Sequence, residues 1–100
     1  MKLLLNFVLL FSFTFCLAQE KHLKNIQKLT YGGDNAEAYF SPNGNHVSFQ
    51  SNNKKWGLSC DQIFTMDLSK AAADSTYKPV MISTGKGRTT CSYYMPNGKD

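Results

Sequence analysis

A chain of 100 residues with 11 basic and 7 acidic side chains, formal charge +4, has the length of one small domain and only a mild cationic surplus. The basic residues are scattered, with Lys54-Lys55 as the one adjacent Lys/Arg pair. No basic helical stripe or aromatic stacking motif accompanies them, which argues against nucleic acid as a partner.

Met1 to Ala18 has the three-part layout of a secretory signal peptide: a charged start at Lys2, an apolar run from Leu3 to Leu17, and small side chains at Cys16 and Ala18 where a signal peptidase reads. Cleavage before Gln19 leaves 82 residues, a marginal length for a self-sufficient core. Two alternatives stay open. As an uncleaved anchor the run is short of the roughly 20 apolar residues that span a bilayer and is interrupted by Asn6, Ser12 and Thr14. As an outer-membrane lipoprotein signal acylated at Cys16, it carries a bulky Phe15 where a small residue is usual. The expectation is export to the periplasm or beyond the cell, with no membrane span after cleavage.

Residues 19–28 form a short lead-in, after which the chain repeats itself. Leu29 to Gly44 and Ser83 to Gly98 align without gaps at an offset of 54, matching Thr30 with Thr84, Gly33 with Gly87, Tyr39 with Tyr93, and Pro42-Asn43-Gly44 with Pro96-Asn97-Gly98. In the first copy Ala36, Ala38 and Phe40 alternate with Glu37 and Tyr39, predicting a strand with those three residues on one face. Ser41-Pro42-Asn43-Gly44 then predicts a tight turn, because proline presets the backbone and glycine tolerates positive φ at the exit. Val47 and Phe49 alternate with His46, Ser48 and Gln50 in a second strand, and Ser51 to Asp61 reads as a loop.

A third strand is expected over Gln62 to Leu68, apolar enough to be buried on both faces. Asp67 to Lys78 reads as a polar connector in which Ala71-Ala72-Ala73 form one helical turn, and Val80 with Ile82 make a fourth short strand. With Cys16 removed, Cys60 and Cys91 are an even pair in an oxidising compartment, which favours a disulfide; two buried thiols are the alternative. Four antiparallel strands followed by a restart give an all-β fold laid out as a propeller blade.

Ala38-Tyr39-Phe40-Ser41-Pro42-Asn43-Gly44, then Val47-Ser48-Phe49-Gln50-Ser51, then Gln62-Ile63-Phe64-Thr65-Met66-Asp67-Leu68 resemble the TolB-type six-bladed β-propeller repeat of exported bacterial proteins. Asn43 and Asn97 stand where that repeat has aspartate. The resemblance implies a first blade over residues 29–84 and the start of a second over residues 85–100, so that this chain is the N-terminal piece of a longer protein. It differs from the eponymous protein, which has an α/β domain ahead of its propeller. A role in the Tol complex is therefore not implied.

Residues that suggest chemistry have plainer readings. Gly85-Lys86-Gly87-Arg88-Thr89-Thr90 lacks the hydroxyl residue of a P-loop at position 87 and the third glycine of a dinucleotide fingerprint at position 90. It reads as the crossing between blades. His22, His46, Cys60, Cys91 and Asp61 show no metal-ligand spacing, and no serine sits in a nucleophile elbow. Asp34 and Glu37 are either a carboxylate pair or solvated charges. Trp56 is either a recognition residue or a cover over the sheet. The sequence thus points to a binding or scaffold module of the cell envelope, non-catalytic in this segment and without cofactor or metal, whose partner is a protein, peptide or glycan. The alternative is a propeller that supports or gates a hydrolase domain encoded after Asp100.

Overall fold

The structure, a computed structural model, describes residues 22–98. The export signal and the cut before Gln19 lie outside the described residues. Four strands form one antiparallel sheet in chain order: β1 (Asn35–Phe40), β2 (His46–Ser51), β3 (Gln62–Asp67) and β4 (Val80–Met81). The chain is therefore mostly β, as its alternating pattern requires.

β2 and β3 pair without interruption from His46 opposite Asp67 to Ser51 opposite Gln62. Because strand side chains alternate, this register puts Val47, Phe49, Phe64 and Met66 on one face and Ser48, Gln50, Ile63 and Thr65 on the other. The first face carries the core: Phe49, Phe64 and Met66 are buried, with the two phenyl centroids 5.9 Å apart. Removing each large side chain from water contributes about 1.5–3 kcal/mol. Trp56, at the end of a 3-10 turn (Lys54–Trp56), sets its ring 5.1 Å from that of Phe64 and so covers this core. Leu29, Leu58, Ala71 and Tyr77 complete the packing. On the opposite face Ile63 is buried as well, so β3 is enclosed on both sides.

β1 departs from simple alternation. Ala36 pairs with Gln50 and Tyr39 with Ser48, so Glu37 and Ala38 together stand opposite Phe49 in a β-bulge, with Glu37 at φ +52°. The extra residue reverses the facing of the remainder of the strand. Ala36 and Tyr39 share the Ser48 face, while Phe40, opposite Val47, lies on the core face, so the expected common face of Ala36, Ala38 and Phe40 is not formed.

Two boundaries also shift. Leu68, expected to end β3, instead opens α1 (Leu68–Ala73), because the Asp67 carboxylate accepts hydrogen bonds from the Ser69 and Lys70 amides at 3.0 and 3.1 Å. β4 is only two residues long, with the Ile82 amide adding one further bond, 2.9 Å, to the Ile63 carbonyl. No helix among the described residues is long and apolar enough to cross a membrane.

Candidate functional site

The meander gathers the loops at two ends of the sheet. At one end lie the segment leading into β1, the β2–β3 loop and the segment leaving β4. At the other lie the β1–β2 turn and α1.

The loop end contains a cleft of about 510 Å³ between Gly32-Gly33-Asp34 and the stretch from Asn52 to Ser59. Its two walls are joined by specific bonds. The Asp34 amide donates to Asn52 Oδ1 at 2.8 Å, Asn52 Nδ2 donates to the Asp34 carboxylate at 3.0 Å, and the Asn52 amide donates to the Asp34 carbonyl at 3.3 Å. Asn53, only 1% exposed, accepts from the Lys55 amide at 3.1 Å and donates to the Tyr31 carbonyl at 3.5 Å. Gly33, at φ +69°, lies so close that a Cβ there would stand 2.6 Å from the Asn53 Cα. Only glycine permits that approach. Lys54 and Lys55 are exposed on the rim. In the sequence this lysine pair and the glycines are separate features; that they share a cleft is a consequence of the topology.

Behind the cleft, the buried Gln62 of β3 holds the segment that leaves β4. Its amide nitrogen donates to the Gly87 carbonyl, and its amide oxygen accepts from Ser83 Oγ at 2.7 Å and the Gly85 amide at 3.1 Å. The Thr89 amide then donates to the Asp61 carbonyl at 2.9 Å, and Arg88 pairs with the Asp61 carboxylate at 3.2 Å. The disulfide expected between Cys60 and Cys91 is not formed, and both are free thiols. They are committed to different neighbours. Cys60 Sγ donates to the Gly87 carbonyl at 2.9 Å, while the Cys91 amide donates to Gln50 Oε1 at 3.3 Å.

From there the chain runs across the Ser48 face. Ser48 Oγ donates to the Ser92 carbonyl at 3.3 Å, Thr65 Oγ1 is hydrogen-bonded to the Tyr94 hydroxyl, and the rings of Tyr39 and Tyr93 lie 4.2 Å apart. Tyr39 Oη also donates to Glu37 Oε2 at 2.8 Å. Hydrogen bonding with Tyr93, and then with Glu37, raises the Tyr39 phenol far above its usual range, so this hydroxyl stays protonated and is no base. Asp34 and Glu37 thus serve different partners and do not act as a carboxylate pair.

At the turn end Pro42 and Asn43 of the first turn and Pro96-Asn97-Gly98 of the second line one groove of about 340 Å³, with Ser41, His46 and Tyr94. Each makes the same turn: the Gly44 amide donates to the Ser41 carbonyl at 2.9 Å and the Gly98 amide to the Met95 carbonyl at 2.8 Å, with φ +72° and +65° at the glycines. Asn43 Oδ1 accepts from Ser41 Oγ and the Asn45 amide, so Asn43 is absorbed in holding its turn. His46 Nε2 is 4.0 Å from Asp67 Oδ2, which Lys70 also approaches at 3.8 Å. Among the described residues no three His, Cys, Asp or Glu side chains group to hold a metal ion.

The chain matches no family model, no curated protein and no solved structure. The arrangement itself is therefore the basis for a functional reading. It consists of loops and side chains fixed by internal hydrogen bonds around two recesses.

Proposed function

We propose that this chain is one blade of a TolB-like β-propeller together with the first strand of the next, exported from the cell and working there as a binding or scaffold module through loops at one end of the ring. The observation that carries the reading is the seat of residues 89–95 on the Ser48 face, with Tyr93 against Tyr39, its counterpart 54 residues earlier. In a propeller successive blades stack face to face around an axis, so equivalent residues of neighbouring inner strands meet. A repeat that restarts at the sheet's far edge and crosses back over its face takes that path. The contacts at Gln50, Ser48 and Thr65 give the crossing segment a fixed place on the sheet.

Small-angle scattering on the protein as the cell exports it tests the reading together with the sequence of that product. The expected outcome is a disc-shaped particle whose chain begins at Gln19 and carries further Pro-Asn-Gly or Pro-Asp-Gly turns at intervals of about 40–55 residues. An exported product without such turns, or a particle of elongated shape, would overturn it.

A further inference from the structure

We propose that the loop-end cleft is a binding site for the acidic part of a glycan, a sugar bearing a carboxylate or sulfate, with Lys54 and Lys55 as the groups that engage the anion. The inference rests on the binding-module reading and adds the location of the site and the chemical class of its ligand. At about 510 Å³, the cleft falls within the range of small-molecule sites, roughly 300–1,000 Å³, and is large enough for a disaccharide.

Its walls are preformed. Gly33 cannot withdraw from Asn53 without opening the cleft, and Asn53 is itself tied to the Tyr31 carbonyl and the Lys55 amide. A site fixed before the ligand arrives loses little entropy on binding.

The charge is net positive. Asp34 is the one carboxylate lining the cleft, and it is already bonded to Asn52 through its side chain, amide and carbonyl. Lys54 and Lys55 have no carboxylate partner among the described residues. Two ammonium groups against the single Asp34 carboxylate leave the cleft with a net positive charge, a field that attracts an anion. Lysine, a compact point charge with rotatable donors, serves carboxylate or sulfate alike.

The rest of the lining selects a sugar over an acidic peptide. Ser59 and the glycine backbone are exposed at the recess and Leu58 is its one apolar side chain, while Asn52 and Asn53 are already hydrogen-bonded within the walls. Peptide recognition relies on apolar anchors, an open strand edge or, for acidic motifs, a cluster of arginines, and the lining of this cleft has no aromatic side chain, no strand residue and no arginine. Sugar hydroxyls are matched by the Ser59 hydroxyl and the exposed glycine backbone.

The test is titration of the full chain by amide NMR with digalacturonate, a sulfated disaccharide, neutral cellobiose and tetraglutamate in parallel, repeated on K54Q/K55Q and on the control K70Q in α1, at the opposite end of the sheet. Binding of at least one acidic disaccharide, read as shifts at Gly32, Gly33 and Asn52, is expected to weaken about tenfold or more in K54Q/K55Q. It should be unchanged in K70Q and should weaken with added salt. The two acidic arms distinguish carboxylate from sulfate. The inference is overturned if no acidic disaccharide binds below about 10 mM, if cellobiose or tetraglutamate binds as tightly, or if K54Q/K55Q binds like the parent chain. These readouts come from amides of the cleft, whereas the propeller reading is judged by particle shape and repeat number. Failure of one is thus distinguishable from failure of the other.

Discussion

Gln62 shows how much of this fold hangs on single polar side chains. It is 1% exposed within β3, yet its amide satisfies the Gly87 carbonyl, Ser83 Oγ and the Gly85 amide at once. Replacing it with leucine removes those three hydrogen bonds, each contributing about 0.5–1.5 kcal/mol net. Gln62→Leu is therefore expected to destabilise the chain by roughly 2–4 kcal/mol and to speed hydrogen exchange at Gly85. Urea unfolding and exchange measurements check this, and unchanged protection at Gly85 would contradict it. Nothing local announces this role. Pro42-Asn43-Gly44 is legible because turn chemistry is written within four consecutive residues, whereas the bonds of Gln62 reach residues more than twenty positions away. The thiols are illegible for the same reason. An even cysteine count speaks to compartment, whereas the neighbour of the Cys60 sulfur is the Gly87 carbonyl, 27 positions away.

Among the elements, β2 and β3 are legible because a period of two, once paired, fixes both faces together. β1 is not. Its bulge sets Glu37 at φ +52° with no glycine to mark the place. The start of α1 is hidden because Asp67 ends a strand and caps a helix at once. That cap carries a prediction. The Asp67 carboxyl lies below its usual range, first through the Ser69 hydroxyl bond and then through the Lys70 amide. A carboxyl whose folded pKa is depressed stabilises the folded state above its unfolded pKa, roughly 3.9, and loses that contribution as pH falls through the folded value. The helical signal of α1 is therefore expected to hold from neutral pH to about 4 and to weaken below it. Asparagine caps a helix without titrating, so Asp67→Asn should remove most of that acid sensitivity while keeping α1 at neutral pH. NMR shifts of Ser69 and Lys70 against pH report on it directly, and equal acid loss in the variant would place the cause elsewhere, for instance at the Asp74 carboxyl, held low by Thr76.

For the whole molecule, the exposed apolar side chains matter most. The sheet ends at a two-residue β4, and around it Val80, Met81 and Ile82 are 58%, 42% and 56% exposed. β4 pairs with β3 on one side only, so its outer edge presents unpaired backbone groups beside a hydrophobic row, with no lysine or proline inside the strand to discourage pairing. Such an edge is a template for another strand. Phe40 and Met95, 70% and 57% exposed, add apolar surface at the turn end, where two turns meet in a groove and no β4 edge is involved. The two surfaces predict different behaviour under substitution. If the edge drives association, Val80→Lys with Ile82→Lys should convert a concentration-dependent sedimentation profile into that of a monomer, because charges on an edge strand oppose a second strand. Phe40→Ser should then leave the profile nearly unchanged. Analytical ultracentrifugation of residues 19–100 across about a hundredfold range of concentration, on the parent and both variants, decides between them. Association lost only in Phe40→Ser would assign the contact to the turn end, and monomeric parent chain throughout the range would show that neither surface is adhesive.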